Sequence, residues 1–185
     1  RLVNYGWFLE QFPPEYEVSL KNAQGEGCAW SCAHGVGRWY RDCGCSTGAR
    51  DGWNQKWRGP LRDAFNHLKT LADEVFLREF SKVSDRDPWE ARNEFVETLV
   101  CPEDSSRMES YLAKVLRDPF NKEHKIIAVR LMEIQKYCMF SFTSCGWFFN
   151  DIEGLEPVQN MRYALRAIEL FKMFLPNSHP IKEQV

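Results

Sequence analysis

Cys32, His34, Cys43 and Cys45 are the residues best equipped for chemistry, arranged as Cys-x-His, eight intervening residues, then Cys-x-Cys. Three thiols and one imidazole are the donor set of a tetrahedral structural zinc site. The spacing is tighter than usual, because paired zinc ligands commonly leave about two to four residues between them. Gly35, Gly37 and Gly44 supply the backbone freedom that a one-residue spacing demands. Two other readings of the same residues stand beside the metal. One is a set of small buried side chains in a crowded loop, near Cys145. The other is a thiol nucleophile with His34 as its base, for which adjacency in sequence is weak ground.

A second signature follows in Trp53, Asn54, Gln55, Trp57 and Arg58. Sugars present apolar C–H faces rimmed by hydroxyls, so a site for them pairs flat aromatic platforms with amides, carboxylates and guanidinium groups. Residues 143–151 repeat the mixture, with Trp147, Asn150 and Asp151 following a helix end at Gly146. The plainer account is packing, with tryptophans seating a loop on helices while Asn54 and Gln55 bond loop backbone. His67, inside a long amphipathic helix, and His124, in the first turn of another, read as surface or boundary residues. His179 lies in a Pro-flanked tail without signal, and Asp85, Arg86, Asp87, Glu103 and Asp104 read as solvated loop charges.

These residues need elements to position them, and composition shows where those change. Eight of the 11 glycines (25, 27, 35, 37, 44, 48, 52 and 59) and four of the seven tryptophans (30, 39, 53 and 57) fall between residues 25 and 59. Each interior glycine costs a helix roughly 1 kcal/mol against alanine, so this stretch is irregular backbone shaped around side chains, a ligand or a metal. The rest predicts helices. Residues 2–12 form a short apolar one stopped by Pro13 and Pro14. Pro60 opens the clearest, with Leu61, Ala64, Phe65, Leu68, Leu71, Ala72, Val75 and Phe76 on one face. Asp87 before Pro88 caps a third, and Ser106 with Glu109 form a capping-box pattern ahead of a fourth. A fifth runs over about 121–142 and a sixth over about 157–175. Only residues 16–20 alternate enough for a short strand, and no repeat is visible. The expected architecture is all-α, about six helices in one domain over 1–185, with an irregular loop at 25–59 and a helical body at 60–185.

With 185 residues, 44% hydrophobic and 27% charged, the chain can bury a real core and is not disordered in composition. A net charge of −2 leaves no basic surplus for phosphates, which argues against nucleic acid and anionic membranes as partners. The most apolar stretch, 126–149, is interrupted by Arg130, Glu133, Gln135 and Lys136 and does not read as a membrane span. Arg1 opens directly into an apolar run with no charged leader or cleavage site, so these residues are not a signal peptide and read as the start of a fragment of a larger chain. Seven cysteines, an odd number, in a chain that needs no stapling point to a reducing cytoplasm.

The run C-A-H-G-V-G-R-W-Y-R-D-C-G-C-S-T-G from Cys32, then G-W-N-Q-K-W-R-G-P-L-R, and T-S-C-G-W-F-F-N-D-I-E-G-L-E at 143–156 carry a family resemblance. They resemble large bacterial proteins related to glycoside hydrolase family 57, in the uncharacterised region that follows their N-terminal catalytic-type domain. Enzymes of that family cleave α-glucans with retention, using two carboxylates on a distorted (β/α) barrel that would precede Arg1. A helical domain packs on the barrel there and can contribute to the cleft. The resemblance implies that role for Trp39, Asp42, Trp53, Asn54, Gln55, Trp57, Arg58, Trp147 and Asp151, with the preceding domain and an α-glucan or oligosaccharide as partners. Relatives tend to carry an acid where this chain has Asn150, which leaves Asp151 as the carboxylate at that turn. No residue here is assigned as catalytic, and the chain alone is expected to be inactive. Retaining hydrolysis needs two carboxyl groups about 5–5.5 Å apart, and nothing in the sequence brings Asp42 to Asp151. Against this accessory reading stand a zinc-clipped structural or interaction module and a thiol-dependent enzyme.

Overall fold

The computed structural model describes residues 2–19, 27–48 and 50–175. Among them are seven α-helices: α1 Tyr5–Gln11, α2 Arg58–Val83, α3 Pro88–Glu94, α4 Val96–Val100, α5 Ser105–Val115, α6 Lys122–Phe140 and α7 Leu155–Phe171. The helix expected after Pro88 divides at Phe95, so α3 and α4 together take the place of one of the six predicted from sequence. No strand occurs among the described residues, and Ala29 and Cys32 make one isolated bridge. Residues 16–19 are irregular rather than a strand, while Leu20, Gly25 and His179 lie outside the described residues. No helix among the described residues is long and apolar enough to cross a membrane.

Local chemistry sets the helix starts. Asp87 accepts the backbone N–H groups of Trp89 (3.0 Å) and Glu90 (2.9 Å), satisfying donors that the first turn leaves orphaned. Asn121 does the same for Glu123 and His124 at the head of α6. At α5 the cap is Asp104 rather than Ser106, because the carboxylate accepts both the Ser106 N–H (3.0 Å) and its hydroxyl (2.6 Å). α1 forms as expected and stops before Pro13, but none of its residues is buried and Phe8 and Leu9 are each 49% exposed. Its apolar side chains therefore add nothing to the core.

α6 is the central helix, packed against α2 on one side and α7 on the other. Its buried Ala128, Leu131, Met132, Ile134 and Cys138 meet Phe65, Phe76 and Phe80 of α2 and Ala164, Ala167 and Phe171 of α7 in one apolar cluster. Burying a Phe side chain fully is worth about 1.5–3 kcal/mol, and both Phe76 and Phe80 are fully buried. This body is the platform on which the glycine-rich loop sits.

Candidate metal centre

Cys32, His34, Cys43 and Cys45 converge. Their donor atoms all lie within 4.8 Å of one another. Cys32 Sγ stands 3.7 Å from Cys43 Sγ and 3.8 Å from Cys45 Sγ. His34 Nδ1 is 3.4 Å from Cys45 Sγ and 3.9 Å from Cys32 Sγ. Sulfurs bound at about 2.3 Å on a tetrahedral ion are about 3.8 Å apart, and a sulfur and an imidazole nitrogen about 3.6 Å. A disulfide would need about 2.05 Å, so the thiols are gathered without being joined. Cys145 is exposed and stays out of the cluster, and of the four donors only Cys32 is fully buried. A crowded set of buried side chains is therefore not what the loop contains.

The tight spacing works because of two left-handed glycines. Gly35 (φ 62°) reverses the chain after His34, and Gly44 (φ 79°) does so between Cys43 and Cys45. Gly37 is not left-handed and opens a 3-10 turn over Gly37–Trp39. Asp42 completes the Cys43–Cys45 turn, its carboxylate accepting the Gly44 N–H at 3.1 Å.

The electrostatics favour ionisation of one thiol, Cys32. Burial pushes the Cys32 thiol up, but hydrogen bonds from the His34 backbone and ring, and from Cys43 and Cys45, bring it down to about 7. The Cys45 thiol is raised, first by its bond to Cys32 and then by burial, since one thiolate opposes the next. Two arginines that sequence reasoning had left without a metal role stand behind them. Arg58 is fully buried and Arg38 is 3% exposed, and Arg58 Nε, Arg58 Nη1 and Arg38 Nε have no hydrogen-bond partner. Burial lowers the Arg58 pKa, while Cys43, Asp42 and Cys32 act to raise it against Arg38. Three thiolates and one divalent ion carry a single net negative charge, and buried guanidinium donors beside it are the compensation such a centre requires. The donor set and these unpartnered guanidinium N–H groups fit a metal ion.

The residues expected to face a sugar are for the most part joints between the loop and the body. Trp39 Nε1 donates to the Ser144 carbonyl (3.0 Å), Trp57 Nε1 to that of Asn150 (3.3 Å), and Trp147 Nε1 to that of Arg58 (3.4 Å). Arg58 Nη2 donates to the carbonyls of Phe148 (3.4 Å) and Phe149 (3.1 Å). Trp147 and Arg58 are fully buried and Gln55 is 5% exposed, so these three have no surface to offer a ligand. Trp53, Asn54 and Asp42 are exposed, and Asp151 is half-buried with its carboxylate on the Glu153 N–H. Asn54 bonds the Lys56 N–H within its own turn.

Asn150 has a role that sequence gave no sign of. It is buried; its Oδ1 accepts the Thr47 N–H (3.3 Å), and its Nδ2 donates to Ser46 Oγ (2.9 Å) and the Gly48 carbonyl (2.6 Å). An acid at this position has no N–H pair to give those two acceptors, so the amide found here is what the latch requires. Gly146 is equally fixed, because a Cβ there would lie 2.1 Å from Asn160 Nδ2.

The family model for the Domain of unknown function (DUF3536) matches residues 53–182, and the chain belongs to that family. The match takes in the helical body and the Trp53–Arg58 segment, and it begins after Cys45, so the four donors lie outside it. No curated protein and no solved structure matches the chain.

Proposed function

We propose that this DUF3536 chain is a structural and interaction module in which zinc, held by Cys32, His34, Cys43 and Cys45, clips the glycine–tryptophan loop to the helical body. The observation that carries the reading is the pair of 3.7 and 3.8 Å sulfur–sulfur separations within a four-donor set. Four protein ligands complete a tetrahedral ion and leave no position for a reacting water, the arrangement of structural rather than catalytic zinc. An iron–sulfur cluster spreads its thiolates over several irons and suits this compact set less well. A thiol enzyme is disfavoured because each candidate nucleophile faces another thiol, and no third group among the described residues orients the His34 ring. Reduced thiol donors suit a reducing compartment such as the cytoplasm.

Metal analysis of the purified chain tests this. About one equivalent of zinc is expected, absent from Cys43→Ser, with Cys32 and Cys45 labelled by a thiol reagent only after chelation. Metal-free protein whose loop thiols label at once would overturn it.

In the longer protein that the motifs resemble, a glycoside hydrolase family 57-related one, this module would pack as an accessory segment on the preceding catalytic-type domain. The isolated chain should not hydrolyse α-glucans, since both Asp42 and Asp151 serve turns of their own loops. A second reading keeps the sugar: Trp53 is 44% exposed, Asp42 and Asn54 are exposed, and Trp30 is 97% exposed. Quenching of tryptophan fluorescence by a malto-oligosaccharide, lost in Trp53→Ala, would support a glucan-lining role, and an unquenched spectrum would remove it.

A further inference from the structure

A cavity of about 440 Å³ lies between the α3–α4 pair and the C-terminal half of α6, with Thr143 just beyond α6 in its lining. We infer that it binds an amphipathic monoanion, a ligand with an apolar body and one carboxylate or sulfonate head, independently of any metal in the loop.

Its size falls within the roughly 300–1,000 Å³ of small-molecule sites. The floor is core, with Phe95 3% exposed and Met132 fully buried. The walls are Val96, Leu99, Met139 and Phe140, of which Val96 (53%), Met139 (55%) and Phe140 (42%) are open to solvent. Exposed apolar side chains scattered singly mean little, but here they converge on one concavity with a closed base. Methionines on the floor and on one wall give it the adaptability of a site that accepts flexible chains or rings.

The charged side chains that line it, Arg92 and Lys136, are both cationic. The other polar lining residues are Asn93, Gln135 and Thr143, and no carboxylate is among them. Lys136 is engaged with Glu133 at 2.6 Å. Arg92 makes no ion pair with any of the described residues. Its Nε and Nη2 bond the Asn93 side-chain carbonyl (3.3 and 2.8 Å), and its guanidinium lies 4.9 Å from the Trp89 ring centroid. A neutral amide and an aromatic face thus hold a cation in place without neutralising it. That is a preorganised seat for an anionic head, beside apolar walls for the body that carries it.

Titration calorimetry of the full chain with decanoate, and with uncharged decanol, tests the assignment. Saturable one-to-one decanoate binding is expected, with decanol weaker by about tenfold and Arg92→Gln weakening decanoate by about tenfold. Val96→Trp fills the cavity from an exposed helix position and should abolish binding while the helical circular dichroism is unchanged. Met139→Trp, on the opposite wall, does the same should Val96→Trp fail to fold. No saturable binding would overturn the site. Equal affinity for decanol would overturn the anion seat, and undiminished binding in a folded tryptophan variant would place the ligand elsewhere.

Discussion

The loop and the helical body are held by opposite means. In the body, Phe76, Phe80, Ala128 and Met132 are all fully buried, and the cohesion is apolar area removed from water. In the loop and the turn it sits on, the buried residues include Cys32, Arg38, Gln55 and Asn150, and the joints are indole, amide and guanidinium bonds to carbonyls. Apolar burial is non-directional and tolerates small errors. Polar joints and metal donors are directional and leave costly orphans when one partner is missing. The body should therefore stand without the loop's metal, whereas the loop depends on both the metal and the body.

The largest expected effect tests that asymmetry from the body's side. Phe76→Ala removes a fully buried ring stacked on Phe80 with centroids 5.4 Å apart. The cost should be about 3–5 kcal/mol, and helical signal and bound metal should be lost in one thermal transition. Chelation of the wild type should instead release the loop to proteolysis while the far-ultraviolet signal persists. Metal retained past helix melting in Phe76→Ala would break the comparison.

Arg58 belongs to both regions and separates two quantities. Arg58→Met deletes the charge facing the thiolates and strands the carbonyls of Phe148 and Phe149. Stranding those carbonyls should cost the metal-free fold about 1–3 kcal/mol, which its melting curve reads separately from metal binding. Metal affinity should fall about 10–100-fold, as for other groups behind first ligands. Competition with a chromophoric chelator measures it, and wild-type affinity would show that the guanidinium does not compensate the centre.

How far these regions could be read from sequence divides along the same line. The periodic face of α2 is found buried at Phe65, Leu68, Ala72, Val75 and Phe76, with Ala64 the exposed exception. Helical period is a local property, and burial follows from it. The four donors could be named because thiols and imidazole are rare types set close together. The indoles could not be assigned, because Trp57 finds its partner in Asn150 and Trp147 in Arg58, each about ninety residues away. A tryptophan turned to a carbonyl and one turned to a sugar look alike in sequence. Asn150 read as a departure from a family pattern, and only the distant 46–48 turn shows why it is an amide. Arg38 and Arg58 gave one faint signal, two cations flanking a thiol-rich loop.

Asn150→Asp sharpens the contrast within the loop. It keeps the shape and removes the N–H groups that serve Ser46 and Gly48, setting a carboxylate oxygen against the Gly48 carbonyl. Ser46 and Gly48 are exposed and water can serve them, so the loss should stay near the net worth of the bonds removed, about 1 kcal/mol. That loss should be seen as faster amide exchange around Thr47, with core amides of α6 unchanged. Uniform acceleration across both would mean that the loop and body share one cooperative unit.

The smallest effect serves as the control on the body's edge. Asp87→Ala removes a carboxylate that accepts two backbone N–H groups at the start of α3, far in sequence from every loop joint. Losing such a cap costs about 1 kcal/mol, a fall of roughly 2–4 °C in Tm for a chain of this size. Pro88 limits the damage, because its ring fixes the first helical residue whether or not the cap is present. Metal affinity should not change, since the cap is directional but its partners are all local. A weaker metal site in Asp87→Ala would show that the α3 end of the body is coupled to the loop through α2, and that the two regions share stability which their separate means of cohesion do not predict.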